Sequence, residues 1–563
     1  MTTHTSSRLV ARLRDALGPR HVLTTPAAMR RWCTGYRIGR GEAAAVVRPG
    51  SLVEMWRVLE ICAAENAVLI AQAANTGLTG GSTPAEQGYD RPVVVMNTLR
   101  IDGIHLVAGG AQAICLAGST LFDLERRLQP LGRQPHSVIG SSCIGASVVG
   151  GICNNSGGTL IRRGPAYTES ALFGVIDADG RPRLVNHLGV AVDASPETLL
   201  SAVESGDFTL AADAGRACSD PDYQTHVRDC AAPTPARFNA DPRRLFEAAG
   251  SAGHVVVFAV RVDTFPADRE TRTFYIGAAD PQILTRLRRT ILTEFAALPV
   301  EAEYLHRDAF RIAERYGRDT YLAVRHLGTR RMPLLFATRT RMENLLGRLP
   351  FTRPGAFDRI VQAVVDRVPL ALPPRLRGFR DRFDHHLILR MADDGIAEAR
   401  RWLDAAFDGV DGAFFEATPD EAAAALQLRF CVASAAIRMQ ALGAERAGGL
   451  VALDLALPRD TTEWFERLPA ELEEKLVAKV YYGHFFCQVF HHDYLVRAGE
   501  DVHAVEAALL AHTRARGAQC PAEHNFGHHY PAPETVLAHY RALDPTNALN
   551  PGIGQASRAA GWR

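Results

Sequence analysis

The sequence predicts an α+β protein with more than one core, and three observations predict it. In the N-terminal third, short apolar runs alternate with helical periodicity and end in loops of small residues. From about residue 266 the periodicity changes. Residues 307–382 then carry charge almost entirely of one sign, with prolines breaking the run. A length of 563 residues suits roughly three to four domain-sized units.

In chain order, residues 1–30 predict a helix and a turn. The opening MTTHTSSRLVARLRDALG is amphipathic and bears arginine, without the apolar run of a secretory signal. A strand over 43–47 ends at Pro49-Gly50. Ser51 with Glu54 predicts a capping box for a helix over 52–64. A strand over 67–72 feeds the loop AQAANTGLTGGSTP, residues 71–84. Further strands are predicted over 93–96 and 114–117, and a helix over 120–129 stopped by Pro130. Residues 140–265 predict a second loop and a mixed sheet, with VVVFAV at 255–260 its most strand-like run. The polar interval 203–236 reads as a long surface excursion. A helix is predicted over 281–298. Phe357, Ile360, Val361, Val364, Val365 and Val368 form one apolar helical stripe, ended by Pro369, Pro373 and Pro374. Residues 384–515 return to mixed α/β character, and the tail DPTNALNPGIG is turn-rich.

The two small-residue loops carry the first chemical information. Gly77, Gly80 and Gly81 let backbone N–H groups approach a ligand closely, and such a nest suits a pyrophosphate. An ordinary glycine-rich turn is the other reading of this stretch alone. The second loop, GSSCIGASVVGGICNNSGG at 140–158, has six Gly and four Ser in nineteen residues. Neither is a Walker loop, and neither is a G-x-G-x-x-G fingerprint opening a helix. Two such loops in one domain imply a long, phosphate-bearing ligand between them.

Composition narrows the class. Hydrophobic content is 47%, enough for a large core. Ten scattered cysteines form no C-x-x-C pair, so neither a zinc finger nor a redox dithiol is indicated. No run of about eighteen apolar residues is evident, so no bilayer-spanning helix is expected, and the chain is expected in the cytosol or on the inner face of a membrane. Residues 307–382 hold seventeen Arg and no Lys against seven acidic residues, ten positive charges net, so the rest of the chain is at −9 for a total of +1. A solvated basic face is one reading. An anionic lipid surface as partner is the other, and nucleic acid is not expected.

The motifs AANTGLTGGSTP, PHSVIGSSCIGASVVGGICNNSGG and RRGPAYTE resemble the FAD-binding loops of the vanillyl-alcohol-oxidase, or PCMH-type, flavoproteins. The likeness continues through NADPRRLFEAAGSAG, YYGHFFCQVFHHDY, PAEHNFGHHY and DPTNALNPGIG, over nearly the whole chain, and is strongest to the respiratory, quinone-dependent D-lactate dehydrogenases of bacteria. The resemblance implies a two-subdomain PCMH-type FAD-binding domain (1–265, completed by 516–563). It implies an α/β cap (266–306, 383–420 and 446–515) and a basic membrane-binding insert (307–382 with 421–445). Non-covalent FAD is expected against Ala73, Ala74, Asn75, Thr76, Gly77, Gly81, Ser82, Gly140, Ser147, Gly157 and Val257, with His136 structural. The implied activity is oxidation of D-lactate to pyruvate, with electrons passed to a membrane quinone from a peripheral position on the cytoplasmic face of the inner membrane. Two alternatives stay open: a flavin enzyme for another D-2-hydroxyacid, such as D-2-hydroxyglutarate or glycolate, or with oxygen as acceptor, and a non-catalytic membrane-surface protein.

The catalytic expectations follow from the same resemblance. Metal-dependent D-2-hydroxyacid dehydrogenases of this superfamily carry a His-x6-His pair and a Glu-His pair. His484, His491, Glu523 and His524 match, which implies a divalent cation on His484, His491 and Glu523 and a base at His524. On one helix the two histidines would stand about 10 Å apart, too far to share a metal, so a turn or bulged strand must join them. Those relatives carry Gly, Asp and Asn in the interval where this chain has FFCQVF, which leaves a metal site and a hydrogen-bonded histidine cluster both open. Arg429 and Arg438, set among apolar residues, are candidates for the substrate carboxylate, with a structural ion pair as the alternative.

Overall fold

A computed structural model describes residues 2–137, 145–191, 195–211, 215–327, 356–368, 372–443 and 446–563. The first layer is a small sheet in which Ala45–Val47, Val93–Asn97 and Val68–Gln72 pair in parallel. Val22–Leu23 adds an antiparallel edge. Every residue of Val93–Asn97 is buried, as expected of a central strand in a sheet covered on both faces. The helix Leu52–Ala64 begins as predicted, with Ser51 Oγ accepting from Glu54 N–H at 3.1 Å. The Glu54 carboxylate reaches Gly50 N at 2.6 Å rather than the cap residue's own N–H. The chain's tail returns to this sheet: Leu69 N–H donates to Ala548 O at 2.9 Å, and Asn550 N–H to Leu69 O at 3.0 Å.

The second sheet has five strands in the order Ile104–Val107, Gln112–Leu116, Val256–Asp263, Ala171–Ile176 and Pro182–Asn186. Every pair in it is antiparallel, so the mixed sheet expected for 140–265 is corrected. Its outer hairpin comes from residues before 140, where a short turn makes antiparallel pairing the direct solution. The surface excursion expected for 203–236 is corrected as well. Tyr223 and Val227 are fully buried in the core of the cap, and the Tyr223 hydroxyl lies 3.4 Å from Cys487 Sγ. The interval looks exposed in sequence because its buried members are few and lie among polar residues.

The cap is a seven-stranded sheet, ordered Gly412–Glu416, Thr271–Ala278, His385–Ala392, Glu301–His306, Leu476–His484, Val489–Arg497 and Ala447–Ala456, antiparallel throughout. Alternate residues serve opposite faces. Phe274 and Ile276 pack with Leu284, Leu287 and Ile291 of helix Pro281–Glu294, whereas Tyr275 packs with Phe310 of helix Arg307–Tyr316 and Leu428 of helix Pro419–Leu442.

That last helix corrects the expectation of no membrane-length segment. Its 24 residues are long and apolar enough to cross a bilayer by length and composition. Nearly half of its apolar window is buried in the protein, and Thr418 and Glu421 cap its start with a reciprocal box. One face of it packs with Tyr275 and Phe310. Beside it, helix Ala356–Val365 turns Asp358 and Gln362 inward and leaves Ile360 and Val364 56% and 59% exposed. Six of the seventeen arginines of 307–382 lie outside the described residues.

Candidate active site

A cavity of about 1750 Å³ opens between the two N-terminal sheets and the seven-stranded sheet. Its lining includes Ala73, Ala74, Asn75, Thr76, Gly77, Gly81 and Ser82 on one side. Side-chain bonds hold this loop from behind. Gln72 Nε2 donates to Trp32 O (2.8 Å) and Ser82 O (2.6 Å), Asn97 Nδ2 to Ala73 O (2.8 Å), and Ser82 Oγ to Asn75 Oδ1 (2.9 Å). Among the described residues, the N–H groups of Ala74 through Thr79 donate to no other protein group. Partly enclosed N–H groups need an acceptor, and a pyrophosphate supplies one. A Cβ on Gly77 would meet nothing within 4 Å, and one on Gly81 would first meet Gly527 Cα at 3.6 Å, so both open toward the ligand space.

Ser147 and Val257 also line the cavity, and Ser147 Oγ caps helix Val148–Cys153 by accepting from Gly150 N–H at 2.9 Å. Gly140 lies outside the described residues. Gly157 is not in the lining; a Cβ there would overlap the Glu523 carboxylate. His136 is buried away from the cavity, and burial pushes its imidazole down to about 4.

The opposite wall carries the titratable groups. His484 and His491 sit on the two arms of a hairpin, Leu476–His484 and Val489–Arg497, with Tyr482 opposite His491. Their ring centroids are 5.2 Å apart. The bulky interval between them forms the turn: Phe485, Phe486 and Cys487 are fully buried in the cap core, and Gln488 takes a left-handed φ of 51°. The seven-residue spacing is therefore a hairpin reach, not a helical one.

Each imidazole has a carboxylate on Nδ1. His484 binds Glu303 Oε1 at 2.6 Å, and His491 binds Asp454 Oδ1 at 3.0 Å. Glu303 also binds Arg429 at 2.9 Å. Burial opposes the Glu303 charge, but His484 and Arg429 outweigh it and hold the carboxyl at about 2. Burial likewise pushes Asp454 up, while His491 and His524 hold it below the usual carboxylate range. His484 is lowered by burial, with Glu303 opposing. A carboxylate only accepts, so His484 Nδ1 carries the proton toward Glu303. His491 stands at ion-pair distance, and Asp454 Oδ1 has no hydrogen-bond partner among the described residues. The sequence reading missed Glu303 and Asp454. The signal was there: each is an acid in a strand that otherwise alternates apolar residues, EAEYLH and VALDLA.

Glu523 is sealed from solvent against Arg237, whose Nε lies 2.5 Å from Oε1, and Arg237 also donates to Gly158 O at 2.7 Å. His524 follows, with φ of 69°, and Asn525 with φ of 65°. Asn239 bonds Pro521 O, Glu523 O and Asn525 N–H, at 3.0, 3.2 and 3.0 Å. Thr79 of the flavin loop bonds His524 O at 3.3 Å and His528 N–H at 3.2 Å. These bonds hold two non-glycine residues in a backbone region they rarely adopt. His524 lines the cavity, a quarter exposed, with Nε2 3.9 Å from Glu523 Oε2.

The set expected for a cation, His484, His491 and Glu523, is not gathered as a metal site: among the described residues no three His, Cys, Asp or Glu side chains converge as one. Glu523 is paired with Arg237, which neutralises the one anionic donor of that set. Arg438 is corrected. It is buried outside the cavity lining and ties its helix to Asp319 at 2.6 Å and Tyr316 O at 3.3 Å. Arg429 does line the cavity, its ring-stacked guanidinium 4.6 Å over Tyr482. Its Nε has no hydrogen-bond partner among the described residues.

Residues 43–184 match the family described as an FAD binding domain, and residues 273–562 match the family described as D-lactate dehydrogenase, membrane binding. The chain is 50% identical to the quinone-dependent D-lactate dehydrogenase of Escherichia coli (strain K12), over 100% of this chain and 99% of that protein. It is 47% identical to that of Haemophilus influenzae, over 99% of each. The crystal structure of p-cresol methylhydroxylase shares the fold, with a TM-score of 0.59 at 14% identity, covering 99% of this chain and 98% of that one. With FAD as its cofactor and a membrane-binding region, this chain belongs to the family of quinone-dependent D-lactate dehydrogenases.

Proposed function

We propose that D-lactate is oxidised to pyruvate in this cavity and that the electrons leave for a membrane quinone. The observation that supports it most is the sharing of one cavity by loop 73–82, with its unpartnered N–H groups, and by Arg429, His484, His491 and His524. Bound FAD supplies the acceptor for the hydride from lactate C2. The chain's residues do the rest. Arg429 keeps one edge on Glu303 and turns its guanidinium to the substrate carboxylate. His484 and His491 line the cavity beside it and bound the space in which the hydroxyl sits. His524 takes the hydroxyl proton at its imidazole. Of the three histidines it is the one with no carboxylate on a ring nitrogen within hydrogen-bond distance, and it is open enough to pass the proton to water. Glu523 and Arg237 hold its loop in place. No step is routed through a metal.

The basic segment 307–382, with 421–445, would carry the enzyme on anionic phospholipid at the cytoplasmic face of the inner membrane. The remaining boundaries follow the sequence: an FAD-binding domain over 1–265 and 516–563, and a cap between. Steady-state assays with D-lactate, L-lactate, D-2-hydroxyglutarate and glycolate, using a quinone analogue, test the reading. D-lactate is expected to give the highest kcat/KM. A higher value for another acid would move the substrate assignment, and no turnover of any would end it.

A further inference from the structure

Of the nine large apolar side chains exposed among the described residues, four line the catalytic cavity and three lie on the segment 356–368. Tyr36, Ile38, Phe430 and Ile437 line the catalytic cavity at its open side. Ile360, Val364 and Val368 project from the segment that starts as helix Ala356–Val365, which packs against helix Pro419–Leu442. Water-facing apolar groups concentrated in this way mark a binding surface.

The geometry of helix Pro419–Leu442 explains the concentration. One face, with Ala424, Leu428, Cys431, Ala435 and Ala436, is buried in the cap. The other faces the cavity through Leu426, Phe430, Ala433 and Ile437, interrupted by Ser434 and Gln440, a stripe at helical spacing. Arg429 stands at its inner end, against Glu303. Ile437 lies eight residues on, about 12 Å along the axis, and is 42% exposed. The stripe is thus a mainly apolar ramp from the titratable wall to the surface. The cavity also exceeds the ~300–1,000 Å³ usual for a site holding one small ligand.

We propose that this ramp is the quinone site: the quinone ring enters between Tyr36 and Ile38 on the flavin side and Phe430 and Ile437 on the cap side. The assignment rests on the reading of the cavity as the site of D-lactate oxidation. A quinone needs a largely apolar slot that joins the flavin cavity to the surface, and this helix face gives one. The redox balance closes. Lactate loses two electrons and two protons in becoming pyruvate, the flavin holds the electrons between the half-reactions, and the quinone leaves as quinol with two electrons and two protons, the latter drawn from solvent at the mouth.

The test uses the FAD-loaded enzyme and a photoreactive short-chain ubiquinone analogue. Illumination followed by peptide mapping is expected to place the label within 426–441 or 36–38, suppressed by unlabelled ubiquinone-1. Label elsewhere, or label that ubiquinone-1 does not compete, overturns the proposal. Phe430→Ser and Ile437→Ser are expected to raise KM for ubiquinone-1 about tenfold each. Flavin reduction by D-lactate and turnover with ferricyanide should stay within about twofold. Unchanged KM for ubiquinone-1, or equal losses with both acceptors, overturns it. Failure of wild-type flavin reduction by D-lactate would instead count against the underlying activity, so the two readings fail separately.

Discussion

Gly157 lies so close beneath Glu523 that any side chain on it would overlap the Glu523 carboxylate. The glycine is required by a protein group rather than by a ligand. Gly157→Ala must push Glu523 off Arg237 and leave a buried, unpaired guanidinium, a loss of about 3–5 kcal/mol. Thermal unfolding should show it as a clear fall in Tm. In a Glu523→Ala background the overlap is gone, so the same change should cost little more. Fully additive costs in this cycle would reject the contact as the cause.

Gly77 gives the opposite expectation. A Cβ there meets no protein atom within 4 Å, so Gly77→Val should fold with the apoprotein Tm of wild type. The side chain would stand in the ligand space, and the variant should purify with little FAD, read from the flavin-to-protein absorbance ratio. Wild-type flavin content would show that the ligand does not pass this loop.

His524→Ala should bind FAD and the lactate analogue oxalate normally, because Asn239 and Thr79 hold the loop through backbone groups. Flavin reduction by D-lactate in stopped flow should fall by about 10²–10⁴-fold. Reduction near the wild-type rate would remove His524 as the base, and loss of flavin or oxalate binding would give it a supporting role only.

Glu303 sets a pH dependence. Its carboxyl is held at about 2 in the folded protein, against about 4.3 for an unperturbed glutamate. A depressed carboxyl stabilises fully above the unfolded value and loses that contribution as pH falls toward the folded one. Glu303→Gln removes it. The Tm gap between wild type and variant should be widest near neutral pH and narrow steadily below about pH 4.3. A gap that stays constant into acid would exclude this linkage.

Residues 307–382 carry ten net positive charges, and each basic side chain near an anionic leaflet contributes about 1 kcal/mol, screened within a Debye length. If roughly a third of that charge faces lipid, attachment is worth several kcal/mol and is reversible. Co-sedimentation with acidic vesicles should be lost in half-molar salt. Equal, salt-insensitive binding to neutral vesicles would refute the electrostatic account.

Local features of the chain were legible because their causes are local. The cap at Ser51, the small-residue loop at 71–84 and the strand within 255–260 depend on neighbours in sequence, and the structure forms an element at each. The His484–His491 pair was visible as a spacing, but not its cause. A hairpin with a bulky turn looks the same in sequence as two turns of helix until strands pair across the sheet. Arg429 and Arg438 share one helix and a similar apolar setting. Only the packing of that helix sends Arg429 to Glu303 in the cavity and Arg438 to Asp319 outside it.

The sequence by itself determined the fold class, the family and the FAD cofactor, and it holds the basic stretch 307–382, since motif, composition and period are properties of adjacent residues. Tertiary structure decided which charges meet. Glu303 stands 181 residues from His484, and Glu523 lies 286 residues from Arg237. Whether each buried carboxylate neutralises a guanidinium, orients an imidazole or is left free for a cation depends on what the sheet brings within about 3 Å of it, and a one-dimensional pattern does not record that distance.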